Sequence, residues 1–298
     1  MKLYLILCIA LLISCGDPEI VLDESVYEPK IVIDGYLVTE QPIKRIFIKR
    51  NIPTGVPIEE IEIFLKDANV FITDLKTNTR VQLTYNTNAF SFMDKDETLG
   101  GIKYNQEYRI DVSATIDGRA LTASATTKTP SEKVRIHQNP TTQLVYPKTR
   151  DEVKNNKYKI TFDLAKGAEV YIINYKPLDK RFETYIQAPR NAYSSKELTR
   201  EEFEEDKDGF EGSGDIFNLA ENQTSYPVEV SWYYLNFKSK YRAIIFAGDQ
   251  NYKDYYGTYG QVQDFDGNID EPKFHINGEG IGIFGSLTTD TTFFEVTL

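Results

Sequence analysis

The stretch "YRIDVSATIDGRALTASATTKTP", residues 108–130, decides the fold class of this chain. Apolar and polar residues alternate on both sides of Asp117-Gly118, and an Asp-Gly pair favours the tight turn of a β-hairpin because it tolerates positive φ. Similar strand patterns precede it with no helical pattern between them: "KIVIDGYLVTE" (30–40), "IKRIFIKR" (43–50) and "DANVFITDLKTNTRVQLTYN" (67–86). The sequence therefore predicts a mostly β chain that opens with an immunoglobulin- or transthyretin-like β-sandwich over residues 30–130.

A second β-rich domain is predicted over residues 131–298. Three strand patterns begin it: "KVRIHQN" (133–139), "KYKITFDLA" (157–165) and "AEVYIINYKPL" (168–178). The acidic stretch "SSKELTREEFEEDKDGFEGSGD" (194–215) follows, and it favours a short helix capped by Ser194 or Ser195. Charged residues on every face of that helix predict that it is solvated, and the glycines that follow predict a flexible loop.

Farther on, aromatic and apolar residues recur every three or four positions between Tyr241 and Tyr256. This spacing predicts one long amphipathic helix near residues 240–256, whose aromatic face is either a ligand platform or, more commonly, packs on a sheet. The preceding stretch "VEVSWYYLNF" (228–237) is predicted to be a strand with Tyr233 pointing outward, or buried if a helix covers it. We expect the binding surface to lie in residues 193–222 and around 232–259. The candidate contacts for a ligand or partner are Trp232, Tyr233, Tyr252 and Tyr255.

The N-terminus "MKLYLILCIALLISC" has a lysine followed by an apolar run that is too short to span a membrane. It fits a secretory signal peptide, and Leu12-Ile13-Ser14-Cys15 resembles the bacterial lipobox. The prediction is a lipoprotein signal peptide over residues 1–14, lipidation of Cys15, and an extended tether over 15–29; the alternative is an ordinary signal with an incidental cysteine. Because Cys8 leaves with the signal, the mature chain has no second cysteine for a disulfide, a thiolate metal site or cysteine catalysis.

The formal net charge of the chain is −11 at pH 7. A negative protein is repelled by phosphate backbones, so the composition predicts no nucleic-acid partner. Acidic residues directly after Cys15, in residues 16–19, resemble the export signal of bacterial surface lipoproteins; the alternative is a plain polar linker.

Two motifs have competing interpretations. Residues 280–285 match G-x-G-x-x-G, but a strand pattern follows them instead of a helix, so we expect the glycines to permit a bulge or a close backbone approach rather than dinucleotide binding. In "DFDGNID" (264–270), side chains with oxygen atoms stand at alternating positions, as in a calcium-binding loop. The calcium signal is weak because the glycine is displaced from its position in an EF-hand, and the alternative is a simple turn. The residues concerned are Asp264, Asp266, Asn268 and Asp270.

Catalytic signals are weak in this chain. The two histidines, His137 and His275, lie outside any H-E-x-x-H spacing, and no G-x-S-x-G motif is present. A catalytic pair of carboxylates, as in glycosidases, remains an alternative, since such a pair is defined by the distance between the two side chains in space and not by their spacing in the sequence. The sequence therefore predicts a protein that is not an enzyme and has no cofactor.

The chain resembles a family of Bacteroidota lipoproteins described as a domain of unknown function. The resemblance rests on the order of five segments: the lipobox, "IVIDGYLVTEQPIKRIFIKR", "DANVFITD", the hairpin and the closing "NGEGIGIFGS". Lipoproteins of this family are commonly encoded beside TonB-dependent outer-membrane receptors. The resemblance covers nearly the whole mature chain and carries no catalytic residues. It implies a binding or accessory subunit of a TonB-dependent uptake complex, with the receptor barrel as partner. The implied location is the outer membrane, lipid-anchored, at the cell surface or on the periplasmic face. The alternatives are a surface-anchored hydrolase acting on glycans or peptides and, more weakly, an adhesin.

Overall fold

A computed structural model describes residues 27–53, 56, 63–137, 142–155, 157–216, 223–259 and 272–298. The lipobox with Cys15, most of the tether and the candidate calcium residues 264–270 lie outside these ranges. The described chain is mostly β, as the sequence predicts. None of its helices is long and apolar enough to cross a membrane.

The strands are β1 (Ile31–Val38), β2 (Ile46–Arg50), β3 (Asn69–Asp74), β4 (Thr79–Gln82), β5 (Thr84–Asn86), β6 (Ser91–Met93), β7 (Glu107–Ile116), β8 (Arg119–Lys128), β9 (Arg135–Ile136), β10 (Gln143–Val145), β11 (Tyr158–Asp163), β12 (Val170–Pro177), β13 (Gly212–Ile216), β14 (Ser225–Val230), β15 (Lys240–Gly248), β16 (Ile276–Gly278) and β17 (Gly280–Thr297). The α-helices are α1 (Arg150–Asn155), α2 (Arg200–Asp206) and α3 (Gln250–Tyr259), and 3-10 turns cover Phe182–Thr184, Lys207–Phe210 and Trp232–Tyr234.

One nine-stranded sheet runs through the whole molecule, in the order β13-β12-β15-β17-β1-β2-β6-β5 with β10 paired to β17. A five-stranded sheet, β16-β8-β7-β3-β4, packs on its β1 end. The core between these two sheets contains Ile33, Ile72, Ile110 and Phe284, all at most 1 % exposed. These elements form the first sandwich.

The second sandwich lies at the other end of the nine-stranded sheet. There a three-stranded sheet, β14-β11-β9, covers β12, β15 and the last part of β17. Alternate residues of β15 point into the core, including Tyr241, Ala243 and Ile245, and Phe294 of β17 joins them. Helix α2 and the 3-10 turns close this core because Phe203 and Phe210 pack against Phe237.

Strand β17 is shared by both sandwiches. Its first half pairs in parallel with β1, from Ile31↔Gly280 to Val38↔Leu287, and its second half pairs antiparallel with β15. Strand β16 pairs with β8 of the first sandwich. The assignment of all of residues 131–298 to a second domain is therefore wrong at its C-terminal end, because residues 276–287 complete the first sandwich after the chain has built the second.

The predicted hairpin of residues 108–130 forms as β7 and β8. The two strands pair from Glu107↔Lys128 to Ile116↔Arg119. Asp117 and Gly118 have φ values of 50° and 77°, the positive values that the Asp-Gly pair predicts.

The glycine-rich motif is part of β17 and approaches the backbone of β1 closely. Gly282 has a φ of 104°, and a Cβ at this position would stand 2.1 Å from the carbonyl oxygen of Ile33. No larger residue fits that contact, which confirms a close backbone approach. The strand continues to Thr297, whereas a dinucleotide site requires a helix there.

The prediction of a long helix near residues 240–256 is wrong. Residues Lys240–Gly248 form the strand β15 between β12 and β17, and α3 covers only Gln250–Tyr259. The run "YRAIIFAG" is apolar at nearly every position, so it fits both the helical repeat of 3.6 residues and the two-residue repeat of a strand. The odd-numbered positions that a two-residue alternation selects are the ones the structure buries.

Candidate functional site

A cleft of about 700 Å³ opens at the end of the second sandwich, and we name it the tyrosine cleft. Its lining is aromatic, hydroxyl-bearing and amide-bearing, and it comes from three separate segments of the chain. The lining residues are Tyr185, Asn191, Tyr193, Ser194, Ser195, Lys196, Leu198, Asp206, Gly209, Phe210, Glu211, Gly212, Ser213, Tyr233, Tyr234 and Asn236.

Two exposed tyrosines form the rim of this cleft. Tyr193 is 45 % exposed and Tyr233 is 57 % exposed, although both carry large rings. Their ring centroids are 5.5 Å apart with the planes at 87°, so the rings form an open corner. Edge-to-face contact stabilises this arrangement, and a ligand ring or an extended apolar group can lie against one tyrosine while contacting the other.

Tyr233 is placed by the end of β14. That strand stops at Val230, and the Ser231 Oγ accepts a hydrogen bond of 3.3 Å from the Tyr233 N–H, which starts the 3-10 turn. The Asn236 amide Nδ2 then donates to the Tyr233 carbonyl oxygen at 3.2 Å. Both hydrogen bonds fix the backbone of Tyr233, so its exposed ring stands on a rigid base.

Asn191 connects the two sides of the rim. Its side chain is buried, at 2 % exposure, and its Oδ1 accepts a 3.0 Å hydrogen bond from the Tyr193 N–H. Its Nδ2 donates to Asn236 Oδ1 at 3.2 Å. One buried amide therefore positions the Tyr193 segment and, through Asn236, the Tyr233 turn.

The floor of the cleft depends on a glycine. Tyr234 stacks on Tyr175 with ring centroids 5.8 Å apart and 20° between the planes. A Cβ on Gly212 would lie 2.1 Å from the Tyr234 ring, so the ring occupies the space that any other side chain would need. Burial raises the pKa of Tyr175 well above its ordinary value, so this ring stays neutral at physiological pH.

The charges around the cleft are mostly paired. Lys196 Nζ lies 2.5 Å from Glu202, and Lys176 and Lys180 lie 2.9 and 3.1 Å from Glu211. The hydrogen bond from Lys196, with those from Thr199, lowers the pKa of Glu202 to about 2. These ion pairs neutralise much of the charge around the cleft, and the rest of its lining is mainly aromatic, hydroxyl-bearing and amide-bearing.

The predicted contact residues have different positions. Tyr233 points outward, which is one of the two positions that the sequence left open, although it lies in a 3-10 turn and not in a strand. Trp232 is 5 % exposed and packs edge-on against Tyr146 at 5.5 Å, so its proposed role at the surface is wrong. Tyr252 and Tyr255 lie on α3, where Tyr252 packs on Tyr36 at 5.1 Å, away from the cleft lining.

The acidic segment is more ordered than its composition predicts. Thr199, and not Ser194 or Ser195, caps α2: its Oγ1 accepts from the Glu202 N–H at 3.3 Å, and Glu202 accepts from the Thr199 N–H at 2.8 Å. Phe203 is completely buried, so the helix is not solvated on every face. The expected flexible loop at residues 212–214 is instead part of the edge strand β13, paired with β12.

Sequence patterns placed Tyr193 within the predicted binding surface of residues 193–222 but singled out neither Tyr193 nor the amides of Asn191 and Asn236. Their local sequence carries no periodic pattern, and their contacts join residues 45 positions apart. The capping signature T-x-x-E at Thr199 was present and locates the helix that lies beside the cleft. Within the described ranges, no group of three histidine, cysteine or acidic side chains could hold a metal ion.

Residues 17–292 match the family model of a domain of unknown function, DUF4249. The chain belongs to the DUF4249 family. No curated protein matches this DUF4249 chain. Among solved structures it is similar to a two-domain fibronectin type III segment of chicken tenascin, at 8 % identity, with 90 % of this chain and 98 % of that chain covered and a TM-score of 0.21. It is also similar to the FN1–FN3 domains of chicken CNTN1, at 9 % identity, 91 % and 67 % coverage and a TM-score of 0.18.

Proposed function

We propose that this DUF4249 protein is an outer-membrane lipoprotein that acts as a binding or accessory subunit of a TonB-dependent uptake complex. The lipobox-like end of the N-terminal apolar run supports the anchor, and the family resemblance supports the receptor barrel as partner. The tyrosine cleft is the contact site for the ligand or the partner.

The observation that carries the proposal is the exposure of Tyr193 and Tyr233 on fixed backbone. Large aromatic rings at 45 % and 57 % exposure leave apolar area in water that the fold does not use. Tyrosine has few rotatable bonds, so an exposed ring gives contact area at a small entropic cost when a ligand covers it. The hydrogen bonds of Asn191 and Asn236 reduce that cost further because they order the rim before binding.

Co-purification tests the partnership. Tagged wild-type protein is extracted from outer membranes in mild detergent, and the receptor barrel is expected to co-elute with it. Tyr233→Ala is expected to reduce the recovered barrel several-fold, because it removes the most exposed ring of the rim. Tyr256→Ala is the matched control, since Tyr256 is a 40 % exposed tyrosine on α3 that does not line the cleft. Equal recovery with both variants contradicts the assignment of the cleft.

Membrane fractionation tests the anchor separately. Cys15→Ala removes the thiol that would carry the lipid, and we expect the variant to leave the membrane fraction and to lose palmitate labelling. A variant that still pellets with outer membranes and still takes up label contradicts the anchor, whatever the cleft binds.

A further inference from the structure

The chain enters the first sandwich through a cluster of hydrogen bonds around Tyr27. The Arg50 guanidinium donates to the Tyr27 hydroxyl at 2.9 Å and to Asp117 at 2.9 Å, at the tip of the β7–β8 hairpin. Asn51 binds the same segment twice, since its Oδ1 accepts from the Lys30 N–H at 2.7 Å and its Nδ2 donates to the carbonyl of Glu28. We name this end of the molecule, where Arg50 pairs with Ile31, the attachment end.

The strand register places the tyrosine cleft far from the attachment end. Ile31 is level with Gly280, the first residue of β17. Gly212 of the cleft is level with Tyr175, then Ala243, then Thr292, through three consecutive strand pairings. The part of β17 from Gly280 to Thr292 spans about 40 Å at about 3.3 Å per residue.

The rim of the cleft lies still farther along the same direction. Ser239 follows the rim segment, and its carbonyl accepts a 2.9 Å hydrogen bond from the Val296 N–H. The Ile186 N–H donates to the Asn236 carbonyl at 2.9 Å, so the segment before Asn191 also lies at this end. The cleft and the attachment end are therefore at opposite ends of the continuous nine-stranded sheet.

We infer that the first sandwich faces the membrane and that the tyrosine cleft is held at the membrane-distal end. This inference rests on the proposed lipid anchor at Cys15. Between Cys15 and Tyr27 the chain reaches at most about 40 Å, so the attachment end stays within that distance of the lipid. The negative net charge of the protein repels its whole body from an anionic leaflet.

This orientation restricts what the cleft can bind. A cleft that lies about 40 Å beyond the attachment end cannot reach lipid headgroups while the protein stands upright. The orientation therefore excludes the bilayer itself as what the cleft binds.

Single-cysteine fluorescence transfer tests the orientation on the mature acylated protein, whose one natural cysteine is the lipidated residue. Ala120→Cys labels the hairpin beside the attachment end, and Lys238→Cys labels the turn beside the cleft; both positions are exposed. Each labelled protein is reconstituted into phosphatidylcholine vesicles that contain a small fraction of rhodamine-labelled phosphatidylethanolamine. Transfer to the lipid acceptor is expected to be several-fold stronger from residue 120 than from residue 238.

The outcomes separate the inference from the proposal on which it rests. If the acylated protein binds the vesicles and both labels transfer equally, or residue 238 transfers more, the orientation is overturned while the anchor stands. If the protein does not bind the vesicles, the anchor is overturned and the orientation with it.

Discussion

The two sandwiches share one sheet but use their connections differently. In the first sandwich, two strands of the core are joined by the two-residue turn at Asp117-Gly118. In the second, residues 178–211 separate β12 from β13, and this long excursion contains α2, two 3-10 turns and much of the cleft lining. Long connections in compact domains are usually functional, and here the connection also buries Phe203. Much of the cleft lining and part of the second core therefore come from the same segment.

The largest effect is expected at Phe203, because this residue of the long connection is completely buried in the second core. Phe203→Ala is expected to lower the free energy of unfolding by about 3–5 kcal/mol, since it empties a completely buried site. The matched control is Phe293→Ala, at a phenylalanine that is 46 % exposed, and denaturant unfolding of both variants gives the comparison. Similar small losses of unfolding free energy for both variants would mean that the connection does not contribute to the core of the second sandwich. Deletion of residues 200–214, which a flexible loop would tolerate, is accordingly expected to unfold the second core.

The strand shared by the two sandwiches is tested at Gly282. Gly282→Ala is expected to cost about 1–3 kcal/mol for the positive φ alone, and the clash of its Cβ with the Ile33 carbonyl oxygen adds to that cost. Gly257→Ala is the control. Gly257 is in α3, and among the described residues no atom outside the adjoining backbone of α3 and the two neighbouring residues lies within 4 Å of the place where its Cβ would stand. Alanine there is expected to stabilise by about 0.5–1 kcal/mol. Thermal melts of both variants measure the two effects. An unchanged melting temperature for Gly282→Ala would contradict the close approach of β1 and β17.

Asp249 joins the sandwiches, and its titration gives a pH-dependent test. It is 4 % exposed, accepts from the Tyr252 N–H at 3.0 Å as the cap of α3, and accepts from Thr127 of β8 and Ser286 of β17. Burial raises its pKa, so its contribution to stability is present below the unfolded-state pKa and is lost as the pH rises through the folded-state pKa.

Asp249→Asn keeps the cap and removes the buried charge. Its stability relative to wild type is therefore expected to rise between pH 4 and pH 7, whereas Asp249→Ala loses the cap and about 1–2 kcal/mol. Urea unfolding at several pH values measures the difference. A constant offset between wild type and Asp249→Asn across that pH range would show that the charge at the junction carries no cost.

The smallest effect on stability is expected at the rim. Tyr233→Ala is expected to change the free energy of unfolding by less than about 0.5 kcal/mol, because the ring is exposed and its backbone contacts remain. The neighbouring Trp232→Ala, at 5 % exposure, is expected to cost about 3–5 kcal/mol. Equal costs for these adjacent residues would mean that the rim is part of the core and that the exposed ring is not reserved for binding.

The local features of this protein follow from its sequence alone. The Asp117-Gly118 hairpin and the strand character of residues 30–50, 67–86 and 168–178 result from alternation and turn chemistry, which act between near neighbours. The need for glycine in residues 280–285 was also predictable, because a strand pattern after the motif leaves only a close backbone approach. The aromatic run also indicated that its rings point in more than one direction, although it left open whether Tyr233 is exposed or buried.

Features that require contact between distant residues were fixed only by tertiary packing. "YRAIIFAG" fits a helix and a strand equally, and its place between β12 and β17 selected the strand because the backbone groups on both its sides are paired there. Trp232 and Tyr233 are adjacent, yet one is buried and the other exposed because Tyr146, far away in sequence, packs on the tryptophan. The two sides of the cleft rim are joined by the hydrogen bond between Asn191 and Asn236, and β17 returns to pair with β1. Neither contact could be predicted, because local sequence patterns carry no information about which distant segment completes a sheet or a site.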